Sequence, residues 1–459
     1  MPLIPQRVHF VGIGGVGMSA IARVLLDFGT KVSGSDLKKS PTTDRLQALG
    51  ARVYYGHAPE NLGEAELVVI SAAVRPDNPE VVAARRRGLP VVPRAEMLAR
   101  LMRRQRGIAI AGAHGKTTTT AMVAHLLLRT GFDPTILIGG DSRDLGENAR
   151  TGRGEYLVAE ADESDGSFLL LNPEIIVVTN VENDHLDYYQ TVENIERTFS
   201  AFIGRVPSHG LAVLCHDDPF LRRLALELRV PVLTYGTSPD ADYVLAAPRV
   251  NGVGTWAEVY HGARHLGRLD LLVPGMHNLK NALAATAVGL HLGLEFAEIA
   301  QVLASFHGVK RRFELIGEAQ GVRIVDDYAH HPTEIAATLA AARHAVGRGR
   351  VIAVFQPHRY TRTLFLHEDF GRAFGAADLV FLNGIYGAGE APIKGVSAAM
   401  IADAVGRHRD AVPPLYESRE ELVEKVAGVV RKGDLVLTMG AGDIWKAGVA
   451  LLEKLGGKR

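Results

Sequence analysis

Residues 108–120 combine residue types that bind phosphate groups in nucleotide-dependent proteins. The apolar start, IAIA, predicts a buried strand, and the run that begins near Thr117 predicts a helix. Between them, Gly112 and Gly115 allow a tight turn whose N–H groups, together with the helix N-terminus, face an anion. We expect Lys116 to meet the β- and γ-phosphates of ATP and the Thr117 hydroxyl to ligate Mg²⁺.

The spacing of this loop, G-x-x-G-K-T-T, is tighter than the strict phosphate-loop pattern. That pattern has a glycine where this chain has Ile110. The alternative is an ordinary tight turn that contains a lysine by chance. We favour the ATP site, because strand, turn, lysine, hydroxyl and helix occur in the required order.

Two acidic clusters follow apolar strands further along the chain. VAEADESDGS contains Glu160, Asp162 and Glu163, and VTNVENDHLDYY contains Asp184 and His185. Because the carboxyl ends of parallel strands open into the ligand crevice, these side chains are candidates to hold Mg²⁺, which prefers oxygen ligands. The alternative is a pair of solvated loops.

A second glycine loop lies near the N-terminus, in VHFVGIGGVGMSA. Gly12, Gly14 and Gly17 form G-x-G-x-x-G between a predicted strand and helix, and Asp36 ends the next strand. This pattern is typical of dinucleotide sites, in which the acidic residue meets a ribose hydroxyl, although many βαβ units carry such glycines for packing only. The motif predicts a nucleotide or pyrophosphate site and leaves the nucleotide open.

Two further motifs lie in the C-terminal half. Asn278 and Asn281 share one face of a predicted helix start, where their amides either contact an adenine edge or cap the helix. Arg359 and Arg362 are spaced to clamp a carboxylate through forked hydrogen bonds, or else form a basic surface turn. His330 lies in DDYAHHPTE, where no cysteine or H-E-x-x-H spacing supports zinc.

Composition excludes several function classes. The chain has 459 residues, enough for two to four domains, and its 51 basic and 51 acidic side chains balance, which argues against a general nucleic-acid binder. The one cysteine cannot form an intrachain disulfide. No basic-then-apolar leader and no membrane-length apolar run occurs, so we expect a cytoplasmic protein without a membrane partner.

Short apolar strands alternate with longer amphipathic segments throughout, which predicts an α/β fold with largely parallel sheets. The strand–loop–helix pattern restarts twice. We therefore predict three domains, residues 1–98, 99–309 and 310–459, of which the first and third are Rossmann-like. The central one is similar to a P-loop ATPase with a small antiparallel patch.

The motifs taken together resemble the Mur ligases of peptidoglycan synthesis. The resemblance is carried by GIGGVGMSAIA, VSGSD, GAHGKTTTT, EADESDGSF, TNVENDHLDYY, PGMHNLKNALAA, VKRRFE, DDYAHHPTE, QPHRYTRT and MGAGDIW, which occur in family order over residues 8–446. Each string alone is weak, whereas the ordered set is highly specific. Siblings that add later residues use a carbamylated lysine at the metal site. No lysine occurs between Lys116 and Lys280, which favours the alanine-adding branch.

The resemblance implies a role for each site residue. UDP-sugar binding falls to Gly12, Gly14, Gly15, Gly17, Asp36 and Ser71. ATP binding falls to Gly112, His114, Gly115, Lys116, Thr117, Thr118, Asn278, Asn281 and Tyr328. Metal binding falls to Thr117, Glu160 and His185, and amino-acid binding to His330, Arg359 and Arg362. Lys116, His185 and His330 are the implied catalytic residues.

The resemblance also implies the reaction. ATP would activate the carboxylate of UDP-N-acetylmuramate as an acyl phosphate, and L-alanine would attack it, with ATP and Mg²⁺ as cofactors. This is a step of cell-wall synthesis, on which cell shape and division depend. Alternatives are a ligase for a recycled murein tripeptide, an NAD-dependent oxidoreductase built on the first glycine loop, and a non-catalytic nucleotide-sugar sensor. The oligomeric state is left open.

Overall fold

A computed structural model describes residues 3–71, 73–251, 254–409 and 411–457. The strands form three sheets that follow one another along the chain. The chain divides into two compact units, which are described separately. The first unit comprises Met1–Glu182, Thr191–Val244 and Asn281–Val302, and the second comprises Asn183–Gln190, Leu245–Lys280 and Leu303–Arg459.

The first sheet is built from five parallel strands in the order β3-β2-β1-β4-β5. Its elements are β1 (Arg7–Val11), α1 (Val16–Asp27), β2 (Lys31–Asp36), α2 (Pro41–Ala48), β3 (Arg52–Tyr55), β4 (Leu67–Ile70), α3 (Pro79–Arg86), β5 (Val91–Pro93) and α4 (Arg94–Met102). The chain reverses its direction of winding between β1 and β4. In open parallel sheets, ligands bind at such a point, outside the carboxyl ends of the strands.

The second sheet begins with the strand that leads into the phosphate loop. In the first unit its strands run in the order β12-β11-β10-β6-β9-β7-β8. The elements are β6 (Arg106–Ala111), α5 (Lys116–Arg129), β7 (Thr135–Leu137), β8 (Ala149–Arg150), β9 (Tyr156–Glu160), β10 (Ile175–Val178), α6 (Leu186–Tyr189), α7 (Val192–Ile203), β11 (Leu211–Cys215), α8 (Pro219–Ala225) and β12 (Val232–Gly236). Parallel pairing places β6 between β9 and β10, so the ends of these three strands share one edge.

The predicted antiparallel patch follows as β13 (Tyr243–Asn251), β14 (Gly254–His261) and β15 (Arg264–Leu271). β14 and β15 form an antiparallel hairpin with an irregularity after Val259. Helices α9 (Met276–His291) and α10 (Phe296–Leu303) come next in the chain. Residues 281–291 of the sequence NALAATAVGLHLG lie in α9, which begins earlier than this stretch, at Met276.

The third sheet lies in the second unit, in the order β16-β17-β21-β18-β19-β20. Its elements are β16 (Glu314–Ala319), β17 (Val322–Asp327), α11 (Pro332–Val346), β18 (Val351–Phe355), α12 (Tyr360–Ala373), β19 (Leu379–Asn383), α13 (Ala399–Gly406), β20 (Leu415–Tyr416), α14 (Arg419–Val429), β21 (Leu435–Met439) and α15 (Trp445–Lys454). The strands pair in parallel except β16, which is antiparallel to β17. Apolar side chains cover both faces, as a parallel sheet requires.

The predicted strands of all three sheets are present, but sequence reasoning missed β7, β8, β12, β16 and β20. The sequence GVKRRFELIG, between the second and third predicted domains, suggests a linker, whereas its end forms the start of β16. Short edge strands such as Leu415–Tyr416 give no periodic signal, because period-2 alternation needs several residues to be recognised. No helix of the described residues has both the length and the apolar character to cross a bilayer.

Candidate active site

The phosphate loop between β6 and α5 has the backbone that its glycines predict. Gly112 has φ +132° and Gly115 has φ +81°, a region that side-chain-bearing residues rarely adopt. A Cβ on Gly112 would stand 2.2 Å from the Thr179 hydroxyl oxygen, so no larger residue fits. Gly115 directly precedes α5, whose first residues are Lys116 and Thr117. The loop therefore presents a helix N-terminus at the edge where β6 ends.

Asn180, directly after β10, holds this loop in place. Its side-chain oxygen accepts from the His114 N–H at 2.9 Å, and its amide donates to the His114 carbonyl at 3.0 Å. The Ala113 N–H donates to the Asn180 carbonyl at 3.2 Å. Because this pairing is reciprocal, the loop conformation is set before any ligand arrives. Sequence reasoning placed Asn180 in an acidic cluster and did not predict this role.

The ammonium of Lys116 donates all three of its N–H groups to the protein itself. The acceptors are the Gly112 carbonyl at 2.5 Å, the Ala113 carbonyl at 3.3 Å and the Glu163 carboxylate at 2.7 Å. Glu163 is 3% exposed. Burial alone would lower the pKa of Lys116, but the carboxylates of Glu163 and Glu160 outweigh it and raise that pKa above its ordinary value. Lys116 therefore remains a cation within the loop.

Thr117 and Glu160 lie together at the predicted metal position. The Thr117 hydroxyl donates to both oxygens of Glu160, at 3.2 and 3.0 Å. The Gly139 N–H also donates to one of them, at 2.9 Å. A hydroxyl and a carboxylate beside a phosphate loop are the hard oxygen donors that Mg²⁺ takes in nucleotide sites. These two residues therefore fit the predicted ion.

The two asparagines of α9 have different neighbours. A Cβ on Gly115 would stand 2.7 Å from the side-chain oxygen of Asn281, so this amide lies against the phosphate loop. Asn278, in the second unit, donates from its amide to the Pro274 carbonyl at 2.7 Å. Both side chains are buried. Their contact with adenine stays a prediction.

The glycine loop after β1 has an equally specific backbone. Gly12 has φ +82°, and a Cβ there would meet the Ser71 hydroxyl oxygen at 3.4 Å. The Asp36 carboxylate accepts from the Gly14 N–H at 2.9 Å, so it braces the loop. Gly15 forms the N-cap of α1. The predicted UDP-sugar residues thus surround one helix N-terminus at the β1–β4 switch point.

The two predicted amino-acid-binding arginines lie in the second unit in unlike surroundings. The Arg362 guanidinium makes forked bonds to Asp184, at 3.0 and 3.2 Å, and both side chains are buried. Burial would raise the pKa of Asp184, but Arg362 and the neighbouring imidazoles hold it well below its ordinary value. Arg359 makes one longer contact, 3.4 Å to Asp187, and about a third of its side chain is exposed. The Arg359 side chain therefore makes fewer and longer contacts with the protein than the Arg362 side chain does.

Two residues of this cluster have left-handed backbone conformations. His185 has φ +58° and Arg359 has φ +73°. Such conformations are uncommon outside glycine and concentrate at functional sites, where the surroundings must hold them. His185 immediately precedes α6, and its N–H donates to the Asp184 carboxylate at 2.8 Å. The backbone conformation of His185 and the hydrogen bond of its N–H therefore position this predicted metal ligand.

His330 follows β17 and lies near Tyr328. Its Nδ1 is 3.0 Å from the Tyr328 carbonyl, which can only accept, so Nδ1 carries the hydrogen and Nε2 is left as an acceptor. Burial lowers the pKa of His330 to about 3, against the opposing pull of Glu334. The imidazole is therefore neutral at neutral pH. The ring centroids of Tyr328 and His330 are 5.4 Å apart.

Comparison with known proteins gives three family models in chain order. They are the Mur ligase family catalytic domain over residues 7–106, the Mur ligase middle domain over 110–289, and the Mur ligase glutamate ligase domain over 311–442. The chain belongs to the Mur ligase family. The resemblance predicted from the motifs is confirmed, and so is the three-domain α/β fold.

Curated relatives match this Mur ligase over nearly its whole length. The UDP-N-acetylmuramate–L-alanine ligase of Pelotomaculum thermopropionicum is 56% identical over 98% of both chains. The enzyme of the same name from Geobacter sulfurreducens is 51% identical, again over 98% of both chains. Among solved structures, the UDP-N-acetylmuramate-alanine ligase of Thermotoga maritima superposes with a TM-score of 0.82 at 30% identity, covering 98% of this chain and 99% of that one.

The first unit of this Mur ligase gathers most of the predicted nucleotide residues. Lys116, Thr117 and Glu160 lie together, and Asn281 lies against their loop. The second unit holds His185, His330, Arg359, Arg362, Asn278 and Tyr328. In the described residues, sequence reasoning missed the bracing by Asn180 and the pairing of Asp184 with Arg362. Neither has a local motif, because each depends on a contact between distant strand ends.

Proposed function

We propose that this protein joins L-alanine to the carboxylate of UDP-N-acetylmuramate at the expense of ATP, in peptidoglycan precursor synthesis. Support comes from relatives of that name that are 50–56% identical over 98% of this chain. The observation that carries the proposal is a phosphate loop whose Lys116 and Thr117 are held beside two buried or half-buried carboxylates. Such a loop serves ATP chemistry, which an oxidoreductase would not need.

In the first step, an oxygen of the muramoyl carboxylate attacks the γ-phosphorus, giving an acyl phosphate and ADP. Two anions must meet, so the site has to supply positive charge. Lys116 and the N–H groups at the start of α5 supply it. Thr117, Glu160 and, by family resemblance, His185 would hold Mg²⁺, which would neutralise charge on the phosphates. The role of each residue is part of the proposal.

In the second step, the alanine amine attacks the acyl carbonyl and phosphate leaves. We assign the alanine carboxylate to Arg359, because the guanidinium of Arg362 is already paired with Asp184. His330 would accept a hydrogen bond from the amine at Nε2 and so orient it. With a pKa of about 3, it is too weak a base to hold the ammonium proton.

Phosphate release with ATP, UDP-N-acetylmuramate and each amino acid in turn tests the proposal. We expect L-alanine to give the fastest release, and mass spectrometry should find the nucleotide sugar heavier by one alanine residue. Faster release with the murein tripeptide would favour the recycling ligase. Nucleotide binding without turnover would favour a sensor, and oxidation of NADH with substrate would favour an oxidoreductase.

We also propose a cytoplasmic location, because the reaction consumes ATP. Domain boundaries near residues 98 and 309 are proposed with it, since each predicted domain contains the sheet that carries one substrate site. Selection of alanine over glycine rests on one methyl group, which contributes about 1–3 kcal/mol to binding in a fitted pocket.

A further inference from the structure

A cavity of about 260 Å³ in the first unit lies beside the first turns of α1. The first turns of α1, including Gly17, line one side. Gly139, Glu160 and Asp162 line another, and Arg94 and Leu98 of α4 complete it. The cavity therefore extends from the loop predicted for the diphosphate to a carboxylate of the predicted metal site. Most of its lining is apolar, and its charged side chains are Arg94, Glu160 and Asp162.

The guanidinium of Arg94 reaches across this cavity to the backbone of α1. A Cβ on Gly17 would stand 2.7 Å from one terminal nitrogen of Arg94 and 3.0 Å from its Cδ. The third glycine of the G-x-G-x-x-G motif therefore makes room for an arginine from another helix. Gly17 is the second residue of α1, so the guanidinium lies beside the helix N-terminus.

This position is electrostatically unfavourable for a cation. Arg94 is the first residue of α4 and also contacts the first turn of α1, and helix N-termini carry partial positive charge. One terminal nitrogen donates to the Asp162 carboxylate at 2.7 Å. The ion pair is partly open to solvent, since 27% of the Arg94 side chain and 41% of the Asp162 side chain are exposed. The Arg94 guanidinium thus lies beside the N-terminus of α1 at the cavity, and Asp162 is its partly exposed partner.

We propose that Arg94 binds the diphosphate of the nucleotide-sugar substrate, and that Asp162 is its counter-ion when no substrate is bound. This inference rests on the proposed function and adds a residue to its UDP-sugar site. A guanidinium matches phosphate oxygens through forked hydrogen bonds. With the diphosphate between Arg94 and the N–H groups of α1, the sugar would extend along the cavity and bring its carboxylate towards Glu160.

Calorimetric titration of Arg94→Ala and Arg94→Lys tests the assignment. We expect Arg94→Ala to weaken UDP-N-acetylmuramate binding about 10- to 100-fold, as loss of a charge-assisted bond requires. UDP-N-acetylglucosamine has the diphosphate but lacks the lactyl carboxylate. Its affinity for Arg94→Ala should fall by the same factor. The affinity of Arg94→Lys should lie between those of Arg94→Ala and the wild type, because lysine keeps the charge but cannot form forked hydrogen bonds.

Arg100→Ala is the matched control, because Arg100 lies on the same helix and pairs with Glu96 at 2.6 Å outside the cavity lining. It should leave both affinities unchanged, and MgATP binding should be normal in every variant if each is folded. A loss confined to UDP-N-acetylmuramate would assign Arg94 to the carboxylate and overturn the proposal. Unchanged binding of both nucleotide sugars would also overturn it.

Asp162→Asn tests the counter-ion. Made alone, Asp162→Asn should tighten nucleotide-sugar binding several-fold. Made together with Arg94→Ala, it should leave the affinity of the Arg94→Ala variant unchanged. Equal tightening with and without Arg94, or weaker binding when Asp162→Asn is made alone, would refute the role of Asp162. Wild-type phosphate release with L-alanine reports on the proposed function separately. Normal release combined with an unaffected Arg94→Ala affinity would therefore overturn only the Arg94 assignment.

Discussion

At the scale of single residues, two arginines of identical chemistry, three residues apart, have different surroundings. Arg362 is buried and forked onto Asp184, whereas Arg359 is one-third exposed and makes a single 3.4 Å contact. A buried ion pair cannot lose one partner without leaving an uncompensated charge. Spacing alone treats the two as equals, whereas their surroundings leave only the Arg359 guanidinium partly exposed and with a single long contact.

We therefore expect Arg362→Ala to lower the free energy of unfolding of the second unit by about 3–5 kcal/mol, since Asp184 is left buried and unpaired. Arg359→Ala should lower it by less than about 1 kcal/mol. Urea unfolding followed by circular dichroism measures both. Equal losses of stability in the two variants would show that the buried ion pair contributes no more to stability than the exposed one.

The kinetic effects of Arg359→Ala should differ from its effect on stability. The KM for L-alanine should rise about 10- to 100-fold, because one charge-assisted bond to its carboxylate is lost. The KM for ATP should stay near the wild-type value. An unchanged KM for L-alanine would remove Arg359 from the amino-acid site.

Lys116 is the residue on which ATP chemistry depends most directly. Lys116→Ala removes the cation at the phosphate loop and leaves Glu163 buried without its partner, so we expect ADP formation to fall below detection. Coupled detection of ADP measures this. Lys446→Ala, at an exposed lysine of α15, is the control and should turn over normally. Normal turnover in Lys116→Ala would contradict the proposed ATP site.

At the scale of elements, the chemistry lies where strands end. Glu160 ends β9, Asp36 ends β2, and Asn180, His330 and Arg359 follow β10, β17 and β18 by a few residues. A sequence reveals such positions well, because an apolar run followed by polar residues marks both the strand and its end. The main strands and most candidate residues were predictable for this reason.

Sequence does not reveal which strand ends meet. The order of strands in a sheet is set by crossover connections, so the bracing of the phosphate loop by Asn180 depends on β10 lying beside β6. Arg94 lies in no motif that the sequence reveals, because its proposed role depends on the packing of α4 against α1. The only local sign was a cation at the first position of a helix, where acidic residues are preferred.

Three half-buried histidines of the second unit lead to a prediction about pH. Burial lowers the pKa of His330 to about 3 and those of His277 and His358 to about 4. An unfolded histidine titrates near about 6.5, so below that pH the unfolded chain binds more protons. These groups therefore reduce stability as pH falls from about 6.5 towards about 4, and have no effect above about 6.5.

Nuclear magnetic resonance checks this prediction residue by residue. The imidazole C2 protons of these three histidines should keep their shifts between pH 8 and 5 in the native protein, and should titrate normally after unfolding. Single His→Gln variants assign the signals. A native His330 signal with a midpoint near 6.5 would contradict the half-buried, neutral imidazole.

At the scale of the whole molecule, three sheets each carry the strand ends of one predicted substrate site. The proposed reaction needs all of them, because the acyl phosphate formed from two substrates must meet the third before water does. In the second unit, the segment after Lys310 is bonded firmly to the third sheet. Arg311 donates to Asp326 at 2.9 Å, and the Phe313 N–H donates to Asp327 at 2.7 Å. We therefore expect any hinge between the second and third predicted domains to lie before Arg311.

The acyl-phosphate route predicts where one oxygen atom goes. If the muramoyl carboxylate attacks the γ-phosphorus, its oxygen becomes the bridging atom and leaves with phosphate when alanine attacks the carbonyl carbon. UDP-N-acetylmuramate labelled with ¹⁸O in the carboxylate should therefore give released phosphate containing one ¹⁸O. Mass spectrometry of the phosphate measures it, and unlabelled phosphate would rule out this intermediate.

The pairing of Lys116 with Glu163 has a consequence for which ligands can enter. Glu163 is a competitor attached to the same chain, so its local concentration at the ammonium is far higher than that of a free anion. A small ion that offers only one contact gains too little to displace it. A triphosphate engages the loop amides, the helix end and the hydroxyl at once, so the resting lysine sets a threshold that discriminates against simple anions.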